Sequence, residues 1–266
     1  MLHSIQNLLP PGHPWRHRLI WLDTIDSTNT YAKTLARQGA EEGTMVFANA
    51  QTGGRGRLGR SFSSPAGAGL YFSLILRPNC PAQKLMHLTC ATGVAVSDAI
   101  MASSAIQPGI KWTNDLVLGK KKLGGILTEL SVNPETALVD WVIVGVGINC
   151  TQQQEDFPPE IRNIATSLSM ALNRQPDKAS IAAALVDSLH RMSQNLFIRQ
   201  EEIMDQFSRR CVTIGQAISI VRGEEIRHAR AVGVDLNGGL QVMDTDGQLD
   251  TITSGEVSIR GMYGYV

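Results

Sequence analysis

Trp141-Val142-Ile143-Val144-Gly145-Val146-Gly147-Ile148 decides how the rest of the chain is read. The run is uncharged and dominated by β-branched residues, which pack well on a pleated surface. It does not alternate with polar residues, so both faces must be buried, as in a strand at the centre of a sheet. Companion strands are expected at Leu70–Leu76, Val46–Ala50 and Leu19–Leu22. Ile110–Leu130 reads as two short strands joined by a tight turn at Gly119 and Lys120. Helical spacing runs from Thr28, with Ser27 or Thr28 as cap, to Gly39. It recurs over Gln83–Ala102, and over Lys178–Arg210 with a break near Asn195. Irregular alternation of this kind predicts an α+β fold, a mixed β-sheet flanked by helices.

Beyond Cys211 the texture changes. Short strands are expected at Ala217–Val221, Ala229–Val234, Leu240–Met243 and Val257–Ile259. Turn signals at Asn237-Gly238-Gly239 and Asp246-Gly247 separate them, which suggests a small β-barrel. The boundary falls near Arg210, giving domains 1–210 and 211–266.

Lys and Arg number 24 and Asp and Glu 24, so the whole molecule advertises neither nucleic acid nor an anionic membrane. The first residues carry no secretory signal, and no stretch approaches the roughly 20 apolar residues of a membrane span. A soluble, cytoplasmic protein without membrane partners is expected. Cys80, Cys90, Cys150 and Cys211 have neither C-x-x-C spacing nor a histidine partner, and read as reduced, mostly buried thiols.

Charge is nonetheless clustered. No Asp or Glu occurs between Glu42 and Asp98, while Arg55, Arg57, Arg60, Arg77 and Lys84 all fall inside. Three of these arginines are interleaved with glycine in Gly53-Gly54-Arg55-Gly56-Arg57-Leu58-Gly59-Arg60. Glycine lets backbone amides approach an anion, and guanidinium adds planar, permanently charged donors. The loop suits phosphate or carboxylate; a solvated basic loop and a single-strand nucleic-acid segment are the alternatives. Gly54-x-Gly56-x-x-Gly59 fits the dinucleotide-binding pattern only formally, because no helix follows and no acid appears before Asp98.

A second cluster, Lys111-Trp112-Thr113-Asn114-Asp115 followed by Lys120-Lys121-Lys122-Leu123-Gly124-Gly125, sets polar groups at the end of one strand and the start of the next. Such groups can converge on one face, although a bland hairpin with surface lysines has the same pattern. Asn149 closes the central strand. His3, His13, His17, His87, His190 and His228 show no metal spacing, and no P-loop, G-x-S-x-G or H-E-x-x-H is present. Chemistry without a covalent protein nucleophile fits best.

Asp26-Ser27-Thr28-Asn29, the Gly54–Gly59 loop, Lys111–Asp115, Lys122-Leu123-Gly124-Gly125-Ile126 and Gly145–Asn149 together resemble, in order, the signature of biotin–protein ligases. The resemblance implies a class II synthetase-like, biotin–lipoate ligase-like catalytic domain and an SH3-like C-terminal domain. It implies ATP and biotin as substrates, with Mg2+, and a biotin carboxyl carrier domain of a carboxylase as acceptor. Carried over by position, Ser27, Thr28, Asn29, Gln51 and Gly125 belong with biotin. Arg55, Gly56 and Arg57 would close over biotin and its adenylate, and Lys122 would contact the activated carboxyl. Arg60, Phe62, Lys111, Asn114 and Asn149 belong with ATP, and Asp115 with the incoming lysine. The catalytic assignments are Arg57, Lys111, Lys122 and Asp115; metal ligands are unknown.

Thr113 stands where the family more often has Pro, a change expected to affect only the local turn. About 22 residues precede the first motif, too few for the winged helix of the regulatory members, so no DNA binding is expected. A homodimer through an exposed sheet is compatible with the family. The rival readings are a lipoate–protein ligase, a nucleic-acid-binding module and a non-catalytic biotin sensor.

Overall fold

The computed structural model describes residues 1–253 and 258–261. The chain opens with a helix that the sequence reading omits, α1 (Leu2–Leu8). Leu9, placed before Pro10, is extended (φ −80°, ψ 146°) and ends it. There follow β1 (Leu19–Ile25), α2 (Thr28–Arg37), β2 (Met45–Gln51), β3 (Gly69–Leu76) and α3 (Leu88–Ser104). Next come β4 (Gly109–Lys111), β5 (Asp115–Leu118), β6 (Lys121–Val132) and β7 (Val139–Asn149). The helices α4 (Leu168–Leu172), α5 (Lys178–Asn195) and α6 (Gln200–Arg210) complete this part.

The seven strands lie in the order β1-β2-β3-β7-β6-β5-β4. Only β1 and β2 run parallel; the remaining neighbours are antiparallel. The β-branched run supplies β7, fourth of seven, with Val142, Ile143 and Val144 fully buried. Ile110–Leu130 holds three strands rather than two, because β4 is only three residues long and shows no period of its own. Gly119 and Lys120 make the expected tight turn, with φ of 54° and 63°. The Trp112–Thr113 peptide bond is cis.

One expectation is corrected. The helical stretch Ala82–Ser104, 23 residues, is long and apolar enough to cross a membrane. It is mostly buried inside the protein, against α5 and α6, and serves as the core helix. Cys90, Cys150 and Cys211 are buried, and all four thiols are unpaired. Burial pushes the Cys90 and Cys150 thiols up to about 12, which makes them unreactive.

A second, five-stranded antiparallel sheet contains β8 (Ala217–Arg222), β9 (Glu225–Val234), β10 (Leu240–Met243), β11 (Leu249–Ile252) and β12 (Ser258–Gly261). Its order is β11-β10-β9-β8-β12, the separate small sheet expected of an SH3-like domain. β11 has no apolar alternation and was not expected; Val257 lies outside the described residues. Ile218, Ile220, Ala231, Leu240 and Val242 share one continuous core with the larger sheet. Three bonds at β4 join the two sheets. Val212 N–H donates to Ile110 O (2.9 Å), and Trp112 N–H to Thr213 Oγ1 (2.9 Å). The Trp112 indole N–H donates to Gly238 O (2.8 Å).

Candidate active site

The Gly-Arg segment is a folded ribbon, not a free loop. Gln51 N–H donates to Ser64 O (3.1 Å), Phe62 N–H to Gly54 O (2.9 Å) and Gly56 N–H to Arg60 O (2.7 Å). The ribbon turns over at Arg57–Gly59, where Leu58 (φ 57°) and Gly59 (φ 72°) are left-handed. A Cβ at Gly54 would stand 2.3 Å from Phe62 O, so only glycine allows the two limbs to meet. Arg55 and Arg60 are exposed at its rim, while Arg57 is half-buried and turned inward. Burial pulls the Arg57 guanidinium below its ordinary value, opposed by nearby Asp115.

Opposite Arg57 lies the second cluster. Arg57 Nη1 donates to Asn114 Oδ1 (2.9 Å), and Asn114 Nδ2 to Asp115 Oδ1 (3.1 Å). Lys122 Nζ donates to the same Asp115 oxygen (2.7 Å). Asp115 is the first residue of β5 and pairs with Gly125 of β6; the register shift between Leu116 and Val117 then sets Lys122 opposite Val117, which brings acid and lysine to one face. Gly125 has no side chain to cover the ion pair: a Cβ there would lie 3.5 Å from Asp115 Oδ1. Lys111 is buried beside them, register partner of Asp115 in the β4–β5 ladder.

The far end is polar and uncharged. At the N-terminus of α2, Thr28 N–H donates to Gln51 Oε1 at 2.9 Å. Asn29 lies across β7 where Gly145 leaves room; a Cβ at 145 would come within 2.0 Å of its Oδ1. Gly147 does the same for the Phe62 ring, whose Cε1 would be 2.5 Å away. The two glycines of the central strand therefore make the cavity floor. Asn149 closes that strand, its Nδ2 donating to Thr166 O (3.0 Å).

These walls enclose about 660 Å³, a volume suited to a small-molecule substrate. All the residues singled out in the sequence line it: Ser27, Thr28, Asn29, Gln51, Arg55, Gly56, Arg57, Arg60, Phe62, Lys111, Asn114, Asp115, Lys122, Gly125 and Asn149. Sequence reasoning missed one wall, formed by Gln152, Phe157, Ile161, Ile164 and Ala165. This segment returns to β6, where Lys122 N–H donates to Ile164 O (2.7 Å) and Thr166 N–H to Lys122 O (2.8 Å). Its signal was apolar residues at 157, 161 and 164 around Pro158-Pro159, with no charged motif to draw notice.

Residues 21–149 match the model of the Biotin/lipoate A/B protein ligase family, and residues 213–260 that of the Biotin protein ligase C terminal domain. The biotin–[acetyl-CoA-carboxylase] ligase of Mycobacterium tuberculosis is 31% identical over 259 residues, covering 94% of this chain and 91% of that protein. The bifunctional ligase/repressor BirA of Bacillus spizizenii is 47% identical over 163 residues, 61% of this chain, which spans about half (50%) of that relative's length. The solved structure of the biotin protein ligase from Aquifex aeolicus in complex with biotin and ATP aligns with a TM-score of 0.78 at 31% identity, covering 91% of this chain and 98% of that one. With its fold and both sequence modules in common with these proteins, the chain belongs to the biotin protein ligases of the biotin/lipoate A/B protein ligase family.

Proposed function

We propose that this protein activates biotin with ATP to biotinyl-5′-AMP, and then transfers biotin to a lysine of a biotin carboxyl carrier domain. One observation carries the reading: the arginine ribbon and the Asp115–Lys122 pair converge on one end of a cavity whose other end is neutral and polar.

The carboxylate of biotin attacks the α-phosphorus of ATP, a C–O–P bond forms as the bond to pyrophosphate breaks, and pyrophosphate leaves with that electron pair. Two anions must meet, so fixed cations are the main requirement. Arg57 and Lys122 face the site of reaction, with Arg60 and Lys111 on the nucleotide phosphates. Phe62 offers a ring for adenine and Asn149 an amide near it. Ser27, Thr28, Asn29, Gln51 and Gly125 hold biotin, while Arg55 and Gly56 close the ribbon above it. In the second half, the acceptor amine attacks the acyl carbon and AMP departs; Asp115 orients the amine and takes its proton. Shielding by the ribbon protects the adenylate from water.

Magnesium belongs to this scheme as part of the MgATP substrate. No group of three His, Cys, Asp or Glu able to hold a metal occurs among the described residues. Mg2+ bound to nucleotides commonly takes phosphate oxygens, water and one or two carboxylates. The proposal divides the chain into a catalytic domain, 1–210, and a C-terminal domain, 211–266. It includes a cytoplasmic setting, a homodimer testable by sedimentation equilibrium, and no DNA partner. Specific, salt-resistant duplex binding would contradict the last point.

The test is intact-mass spectrometry of a carrier domain incubated with the protein, MgATP and biotin, with lipoate in a parallel reaction. The expected product is a carrier holding one biotin on lysine. Lipoylation without biotinylation would reverse the choice of acid.

A further inference from the structure

Beside the main cavity lies a second, smaller hollow of about 260 Å³. It exists because β5 stops early. β5 pairs with β6 only as far as Gly125, and from there β6 runs on against β7 to Val132, its other edge turned to the start of α3. Thr89 of α3 meets Thr128 of β6 across the gap, with their Oγ1 atoms 2.9 Å apart. Thr113 adds a third hydroxyl to the wall, 3.4 Å from Cys90 Sγ. Arg57, Leu58 and Ile126 belong to the walls of both spaces, so the partition between them is thin. The bond from Arg57 Nη1 to Asn114 Oδ1 (2.9 Å) crosses it. Asn114 Nδ2 in turn donates to Asp115 Oδ1 (3.1 Å) and Ile126 O (3.2 Å). The hollow thus ends one side chain away from the Asp115–Lys122 pair.

The second half of the proposed reaction sets this space a task. An adenylate lasts only while the ribbon keeps water from it, yet the acceptor's amine has to reach it. Entry past the ribbon would uncover the adenylate; entry from the side would not. At about 260 Å³ the hollow is smaller than the roughly 300–1,000 Å³ of pockets that hold whole small molecules, but it has room for an unbranched side chain. Threonine methyls suit a methylene stem, and the hydroxyl oxygens keep lone pairs that can accept from an ammonium. Among the described lining residues Arg57 alone is charged. Its sign is that of the ammonium, so it favours the neutral amine, the form that attacks.

We propose that this threonine-lined hollow admits the acceptor's lysine side chain to the adenylate while the ribbon stays closed. The inference rests on the ligase reading and adds a route to it. The amine nitrogen bonds to the acyl carbon, the C–O bond to phosphate breaks with its electron pair going to AMP, and the proton passes to Asp115. Thr89 and Thr128 guide the amine inward and take no part in these bond changes.

The test separates the two half-reactions in the full-length protein. Thr128→Phe fills the hollow; Thr89→Val combined with Thr128→Val keeps its shape and removes both hydroxyls. Biotin-dependent exchange between ATP and pyrophosphate should stay close to wild type in both variants. Single-turnover transfer from the preformed enzyme–adenylate complex to a carrier domain should slow. The loss should be about 10²-fold in Thr128→Phe, the scale of a misplaced nucleophile, and about tenfold in the double variant, the scale of a lost hydrogen bond to a charged group. Unchanged transfer in either variant would overturn the entry route and leave the ligase reading standing. So would exchange that falls in step with transfer, which would mean that pyrophosphate uses this space or that the reacting centre is disturbed. Wild-type protein active in neither half-reaction would overturn the ligase reading, and the entry route with it.

Discussion

Lys122 holds its ammonium 2.7 Å from Asp115, and in the proposed reaction it exchanges that partner for the reacting acyl phosphate. Lys122→Met should lower the exchange rate by about 10²–10³, the cost of removing one preorganised donor. Its effect on Tm should be small, because the pair is partly solvated (32% and 18% exposed side chains) and such pairs contribute little to stability. Arg57→Gly removes the contact to Asn114 that ties the ribbon to this cluster. The variant should release adenylate into solution, seen as biotin appearing on bystander lysines; tight retention would contradict the ribbon's role. Arg55, Arg57 and Arg60 were legible in the sequence because nothing acidic occurs in the 55 positions between Glu42 and Asp98, arginine being costly to cluster without an anion. Gln152 and Ile164 were not, because amide and apolar side chains at a cavity wall look like any others until the backbone brings them there.

At the scale of elements, the glycines of β6 and β7 divide into two kinds. A Cβ at Gly124 would meet Gly147 O at 2.3 Å, backbone that cannot move aside. Gly124→Ala should therefore destabilise the fold by about 1–3 kcal/mol, read as a lower Tm. Gly145→Ala meets the Asn29 side chain instead, which can swing away. It should weaken biotin binding more than it lowers Tm, as calorimetry and thermal melts on one preparation would reveal. Strand register carried the rest of the site. The Gly119–Lys120 turn, which the sequence displays, sets Val117 opposite Lys122; the register shift between Leu116 and Val117 that brings Asp115 opposite Gly125 is not legible there, nor is β4, since three residues cannot show a period.

α3 is held at its start by His87, whose Nε2–H donates to Leu196 O (2.9 Å) at the α5–α6 break. Burial pulls this imidazole below its ordinary 6.5, and burial beside His190 does the same to His13. Depressed folded values mean that the unfolded chain binds more protons as pH falls through 6.5. Stability should thus be full above about pH 6.5 and decline below it. His87→Gln should flatten that decline in a pH series of melts.

For the whole molecule, the two sheets share one core and are joined at β4, next to Lys111. A single cooperative thermal transition is expected, not two. Trp112→Phe removes the indole bond to Gly238 and should lower Tm and exchange rate together, because the same strand end positions Lys111. The change of texture at Cys211 made two modules visible in the sequence, but their common core was invisible, since each strand advertises a buried face without naming its partner. The ribbon's closure over the reacting groups is tested most directly by a crystal structure with a non-hydrolysable biotinyl-adenylate. Arg55 to Arg57 should fold over the phosphate, with Lys122 turned from Asp115 to the acyl linkage and the ureido ring against Thr28 and Gln51. A ribbon pointing into solvent, touching neither biotin nor nucleotide, would contradict it.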